Sequence, residues 1–269
     1  MASAPHCAPP EREEVLSGYM SYKHLAALRL AICGSNSRDR TLVLLGICLL
    51  TILIGGCQRQ YATGRSNAAV PPSSVAKPLP PKSSPQLKQF IDGAVEQSEV
   101  TTGYDPSYVK LDYPNGDVAS DTGVCSDVVV RAFRKAGIDL QKEVHEDMTH
   151  AWAQYPKKWG AKGTDSNIDQ RRVLNLTTYF DRQGKSQPIT TDRADYLPGD
   201  IVAWELNDGV EHIGILTNLY HPTRDARAGA PVSFDSDSHY LIVHNIGAGA
   251  RVEDVLLNWK IIGHYRYFQ

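Results

Sequence analysis

The sequence predicts an α+β domain, with N-terminal helices packed on a C-terminal antiparallel β-sheet. Three features point there. Apolar residues recur at helical spacing between residues 85 and 181, they alternate or run in short blocks from 201 onward, and Gly, Pro, Asn and Asp turn signals separate the later blocks. Helices first and hairpin-linked strands second is the pattern of helices gathered on one sheet face. Of the 269 residues, 42% are hydrophobic and 22% charged, with a net charge of −2. Such values exclude collagen, coiled coil and global disorder. A slightly acidic chain also lacks the basic surface that nucleic-acid binding needs.

The elements follow in order. Ser84-Pro85 is an N-cap with proline at the first helical position, and Leu87, Phe90, Ile91, Ala94 and Val95 mark an amphipathic helix over 85–97. A loop rich in Tyr, Asp, Pro and Gly follows, with a short strand expected from Val109 to Tyr113. A second helix is expected over 125–136, burying Val129, Ala132, Phe133 and Ala136, capped at its start by Asp121 or Thr122 and closed by Gly137. Leu140, Val144, Met148, Trp152 and Tyr155 share one face of a third helix stopped by Pro156, and a fourth covers 168–181. Pro198-Gly199-Asp200 turns into a strand over 201–204, Asn207-Asp208-Gly209 makes a hairpin, and the strand 212–216 returns. A polar loop over 219–238 leads to strands 240–244 and 261–268.

Residues 1–57 are set apart from this domain. Arg38 and Arg40 precede the uncharged stretch Leu42 to Gly56, which is shorter than the roughly 20 residues of a comfortable spanning helix and suits the apolar part of a secretion signal. The run Ile54-Gly55-Gly56-Cys57 resembles the bacterial lipoprotein signal, in which the thiol of the cysteine is lipidated and the chain is cut before it. The alternatives are an uncleaved N-terminal anchor and a cleaved secretion signal. All three place the remainder outside the cytoplasm, on the periplasmic side of the envelope. Gln58 after Cys57 resembles lipoproteins sorted to the outer membrane. Residues 58–84, rich in Pro, Ser and Ala, are expected to be a disordered tether. The folded domain is then 85–269.

Cysteine usage focuses the chemistry. The chain has five cysteines, and four of them, Cys7, Cys33, Cys48 and Cys57, fall within residues 1–57. Cys125 is left as the lone thiol of an exported domain, either a small buried hydrophobe or a reactive group. It opens a predicted helix, where unpaired N–H groups and the helix dipole favour thiolate. A thiolate needs a base, and His212 opens a hairpin strand. The next strand ends in His244-Asn245, either of which would orient the imidazole as a third member. Only one of the two can point at the site, since adjacent strand residues face opposite ways. Cys125, His212 and His244 are the primary set and Asn245 the reserve.

That order resembles the NlpC type of papain-like cell-wall peptidase. Cys125-Ser126 followed by Ala136-Gly137-Ile138, then Pro198-Gly199-Asp200-Ile201-Val202, then His212-Ile213-Gly214-Ile215 with a later apolar run ending in His244 carry the likeness. More closely, TGVCSDVVVRAF, GDIVAW, HIGIL, VHNIG and GHYRY resemble the domain of unknown function 1287 family, assigned to the same clan. Val124 stands where the NlpC pattern has an acidic residue. The Cys125–His212 and His212–His244 intervals are both longer than usual, so substrate choice does not carry over. The resemblance implies a papain-like fold and a thiol hydrolase acting on amide bonds of peptidoglycan stem peptides, as an amidase or endopeptidase. It also implies a tyrosine near the nucleophile. Tyr104, Tyr108 and Tyr113 are therefore oxyanion candidates beside the Cys125 N–H.

Asp121, Ser126 and Asp127 are candidates for holding a substrate ammonium or amide, with helix capping as their other role. Arg171 and Arg172 are expected on a solvated helix face rather than on a substrate carboxylate, and Trp204 and Trp259 in the core. His145 and His150 are five apart, which rotates them about 140° around a helix, and His239 and His244 fall on opposite strand faces. No metal site is expected, and no cofactor or nucleic acid. The expected partners are peptidoglycan or its stem peptides and a membrane, with the chain a monomer. The alternatives are a non-catalytic envelope-binding protein on the same scaffold, and a thiol acyltransferase or lipid-acyl hydrolase.

Overall fold

In the computed structural model, residues 70–71, 74–221 and 239–269 are described. The predicted signal or anchor with Cys57, and the spacer up to residue 69, lie outside the described residues. No helix of the described residues is long and apolar enough to cross a membrane.

Helix α1 (Pro85–Val100) starts as its sequence dictates, the Ser84 hydroxyl accepting the Leu87 N–H at 3.2 Å. Helix α2 (Cys125–Lys135) ends in a paired stop. Gly137, at φ +84°, lets its N–H reach Arg134 O and the Ile138 N–H reach Phe133 O, both at 3.0 Å. This closure needs a left-handed residue at that point, and glycine adopts it without a Cβ penalty. Helix α3 spans Leu140–His150 and α4 spans Val173–Arg182. Phe133 of α2 is the hub of an aromatic cluster, with ring centroids 4.9 Å from Phe90, 5.7 Å from Phe180, 4.8 Å from Tyr267 and 5.4 Å from Phe268. Truncating a ring so enclosed costs about 3–5 kcal/mol.

The strands are β1 (Val75–Ala76), β2 (Asp200–Glu205), β3 (Glu211–His221), β4 (His239–Asn245), β5 (Ala250–Glu253) and β6 (Lys260–Arg266). They form one antiparallel sheet in the order β5-β4-β3-β2-β6, with β1 paired to the far end of β3 through Tyr220 and Leu219. Alternation sorts the side chains. Ile201, Ala203, Ile213, Ile215, Leu241 and Val243 join the helices and Cys125 in the main core. Val202, Trp204, Leu216 and Ile242 face the other way, under Tyr196, Val255 and Leu256. The α+β expectation is met: helices lie on one face, and loop residues cover the other.

Several local expectations are corrected. Residues 109–113 form no strand. Their polar backbone is held by side chains instead: Asn167 accepts the Leu111 N–H and Gln141 donates to Asp112 O. Neither Asp121 nor Thr122 caps α2, whose N-cap is Val124. The third helix stops at His150 and continues as a 3-10 turn over Trp152–Gln154, and the fourth begins only after a 3-10 turn over Asp169–Arg171. Strand β3 runs on to His221, and β5 was not expected at all. The end of the supposed disordered tether is ordered. Strand β1 docks on β3, the Lys77 N–H donates to Asn218 O at 2.9 Å, and the Ser84 N–H reaches Gln269 O.

Candidate active site

Cys125 is the first residue of α2, and the start of this helix is staked down by charge. The Asp127 carboxylate accepts the Val124 N–H at 2.7 Å and is gripped by Arg171, Nε to Oδ1 at 2.9 Å and Nη2 to Oδ2 at 3.0 Å. Both side chains are buried, and Arg171 spends its remaining donors on Ser107 O and Asp105 O. A buried ion pair of this kind is tolerable only when its other hydrogen bonds are made, as they are here. The Ser126 hydroxyl donates to Arg171 O at 2.8 Å. Ser126 and Asp127 are thus consumed in fixing the helix start and are unavailable to a substrate. Asp121 is exposed, and it is its backbone carbonyl that takes the Thr102 and Gly103 N–H groups. Arg171 is not on a solvated face, contrary to expectation.

The thiol is 7% exposed. Burial pushes its pKa up to about 12, and the Asp127 charge adds to this. The N–H groups of Ile213, Ser126 and Cys125 itself pull the other way without prevailing. The helix-start thiolate expected from sequence is therefore a neutral thiol at rest, because desolvation outweighs the helix amides.

His212 and His244 are brought together. His212 Nε2 lies 2.8 Å from His244 Nδ1, across the β3–β4 pair. The close approach needs Gly214, where a Cβ would stand 2.8 Å from Ile242 Cγ2 and 3.1 Å from His244 Cβ. His244 Nε2 in turn lies 3.1 Å from Glu253 Oε2 on β5. Glu253 was not anticipated. Burial first, and then the charge of His244, lower the His212 pKa to about 3. With Glu253 ionised, its carboxylate accepts from His244 Nε2. The bare His244 Nδ1 then accepts from His212 Nε2, and the lone pair of His212 is left on Nδ1. Trp204 and Trp259 wall the pair, with ring centroids 5.8 Å and 5.9 Å from His212. Trp204 is fully buried and Trp259 partly so.

The Ile213 N–H, on the residue after His212 in β3, is one of the backbone amides that draw the thiol pKa down. Among the described residues no hydrogen bond joins the thiol to either ring: alternation turns Ile213 into the main core with Cys125, whereas His212, paired with Trp204, faces the other side of the sheet. Asn245 faces away from the ring pair, as strand alternation requires. It is fully buried, its Nδ2 donating to Gly103 O and Gly123 O, both at 3.0 Å. It is a brace for the loop that leads into Cys125, and the reserve role proposed for it is not taken up. Of the three tyrosines only Tyr104 shares the neighbourhood of Cys125, Asp127 and Arg171, where burial and the first two charges push its phenol up to about 12. Tyr108 donates to Asp165 and Tyr113 to Glu146, so neither serves an oxyanion at Cys125. His145 turns to Asp169 and His150 to Glu146 O of its own helix.

The family described as Domain of unknown function (DUF1287) matches residues 91–267. The chain belongs to the DUF1287 family. It is 51% identical over 179 residues to the uncharacterized protein YijF of Escherichia coli (strain K12), spanning 66% of this chain and 80% of that one. Among solved structures, NlpC1 from Trichomonas vaginalis aligns at 13% identity and a TM-score of 0.35, over 72% of this chain and 47% of its own. An N-acetylmuramoyl-L-alanine amidase from Bacteroides uniformis aligns at 14% and 0.37, over 69% and 100%. This chain thus spans about half the length of the first and the whole of the second. At such scores the likenesses carry no argument, and the case for function rests on this DUF1287 member's own residues.

Proposed function

We propose that this DUF1287 protein is a cell-envelope cysteine hydrolase that cleaves amide bonds of peptidoglycan stem peptides, as an amidase or endopeptidase. The observation that carries the proposal is the His212–His244–Glu253 chain, a carboxylate-oriented imidazole pair on the sheet against which the Cys125 helix packs. A buried, neutral His212 is a base in waiting, and the two groups behind it are arranged to share the proton it takes up.

The first step requires the Cys125 side chain to come within reach of His212 Nδ1, which then takes the thiol proton as Sγ bonds to the carbonyl carbon. The carbonyl electron pair moves to oxygen, which the Cys125 N–H at the helix start and the Tyr104 hydroxyl would receive. Collapse of the tetrahedral species breaks the C–N bond, and the amine leaves with the proton held by His212. Water then attacks the thioester, its proton passing to His212 and on to the departing thiol. No step calls for a cofactor. A lipidated Cys57, with the segment after it, would hold the domain at the periplasmic face of a membrane within reach of the wall.

The buried, neutral thiol favours one other reading, a non-catalytic envelope-binding protein on the same scaffold. Incubating purified sacculi with the parent protein and with Cys125→Ala separates the two. Muropeptide release by the parent alone is expected. Release that survives the substitution removes the thiol mechanism, and sacculus binding without release by either protein favours the binding role.

A further inference from the structure

A cavity of about 300 Å³, at the lower end of small-molecule sites, opens between the start of α4 and the loop over 152–163. Tyr108, Trp152, Trp159, Lys162, Arg172 and Asn175 are among its walls. Two polar groups there lack partners. Asn175 is 4% exposed; its Nδ2 donates to Asp169 O at 3.0 Å, but its Oδ1 is buried and bare. A bare buried acceptor of this kind costs about 1–3 kcal/mol, which a ligand donor would recover. Arg172 is half-buried with its guanidinium carbon 4.5 Å from the Trp159 ring centroid, and its side chain makes no ion pair or hydrogen bond among the described residues. Burial and the neighbouring Arg171 charge hold its pKa below the usual arginine range, as for a cation without a counter-charge.

The acidic groups in the wall are already used. Asp169 Oδ2 faces His145 Nδ1 and accepts the Asp165 N–H, both at 2.8 Å. Asp165 accepts from Tyr108 and Asn167. The unmet demand is therefore for one anion and one N–H or O–H donor, side by side. Arg172 and Asn175 lie three residues apart at the start of α4, the Asn175 N–H donating to Arg172 O at 3.0 Å, so both demands fall within one helical turn.

The cavity walls are tied to the proposed catalytic groups through their neighbours in sequence. Arg171, next to Arg172, grips Asp127 and Ser126 in the turn that follows Cys125. Lys158, in the cavity loop, pairs with Glu211, next to His212.

We propose that this cavity is a subsite for the carboxylate-bearing end of a short peptide. Arg172 takes the carboxylate with its planar fork, Asn175 Oδ1 accepts the adjacent amide N–H, and Trp152 and Trp159 cover the peptide between them. The assignment rests on the peptide-hydrolase proposal above, and its test needs no turnover.

The Cys125→Ala protein, titrated by tryptophan fluorescence, reports occupancy through Trp152 and Trp159 in the wall. The probes are N-acetyl-alanyl-alanine with a free carboxylate and the same dipeptide as its C-terminal amide. The acid is expected to bind at least about tenfold tighter than the amide. Arg172→Gln is expected to erase that preference, and Arg172→Lys to keep only part of it, because an ammonium lacks the fork. Equal binding of acid and amide, or no fluorescence response to either, overturns the subsite. So does a folded Arg172→Gln protein that keeps the acid preference. If Arg172→Gln does not fold, the acid–amide comparison decides alone. Acid-selective binding without sacculus hydrolysis by the parent would retire the hydrolase and keep the subsite; hydrolysis without acid preference would do the reverse.

Discussion

Glu253 Oε2 sits 3.1 Å from the outer nitrogen of His244, so the histidine that orients His212 is itself oriented by a carboxylate from the neighbouring strand. Two imidazoles alone have no fixed sense of donation; the carboxylate at one end sets it for both.

Glu253→Gln keeps the size of the side chain but removes the charge that fixes this sense. On the hydrolase proposal, kcat is expected to fall by about ten- to a hundredfold with KM little changed. Nitrogen-15 chemical shifts of the two rings check the cause directly: the parent should show His212 protonated on Nε2, and the variant a mixture of tautomers. Unaltered tautomers with unaltered kcat would leave Glu253 as a surface ion-pair partner only.

The pH dependence of activity is expected to be unusually broad. His212 must be neutral and Cys125 protonated for the first step, and their pKa values lie near 3 and 12. The rate should stay level through pH 5–8, with no acid limb near the usual histidine value of 6.5. An acid limb centred near 6.5 would mean that His212 is hydrated.

The same two groups shape stability. The lowered His212 pKa contributes stability that is fully present above pH 6.5 and is lost as pH falls toward 3, because the unfolded chain takes up the proton first. The raised Cys125 pKa contributes stability that is present below pH 9 and is lost as pH rises toward 12. Urea midpoints measured against pH should show a shallower acid slope between 6.5 and 3 in His212→Asn and a shallower alkaline slope in Cys125→Ala.

Arg171→Met strands the Asp127 carboxylate without its partner in the interior. A loss of about 3–5 kcal/mol in unfolding free energy is expected. The double variant Arg171→Met, Asp127→Leu should recover part of it, which a double-mutant cycle measures.

Asn245→Ala removes the bridge between Gly103 O and Gly123 O, leaving the part-buried Gly103 O without its donor and Gly123 O with the Asp105 N–H alone. A cost of about 2–4 kcal/mol is expected from urea unfolding. Because the brace acts on the loop entering α2, hydrolysis should fall even at temperatures where the variant is fully folded.

Much of this site is legible in the chain. The Ser84-Pro85 start, the Gly137 stop and the period-two pattern around His212 and His244 are local signals, and local signals survive into the structure. The contact between His212 and His244 follows from one hairpin relation between neighbouring strands. Glu253 escaped because β5 has only four residues, Ala-Arg-Val-Glu, directly after the Ile246–Gly249 loop, too short for a period to stand out. Its inward Ala250 and Val252 were the available sign. The grip of Arg171 on Asp127 and the convergence of Arg172 and Asn175 on a cavity depend on how the 152–172 loops close against α2, and no local pattern encodes that. The neutral thiol was misjudged for a related reason: the helix start is visible in sequence, whereas the depth at which it is buried is not.

Strand β1 has a mechanical consequence. A pull transmitted from the N-terminal side enters the domain at Val75–Lys77, and it is received by Leu219, Tyr220 and Asn218, on the same strand that carries His212. Load from a moored N-terminus would therefore run in shear along β3 before it reached any helix, and the strand bearing the base would be the first to feel the strain.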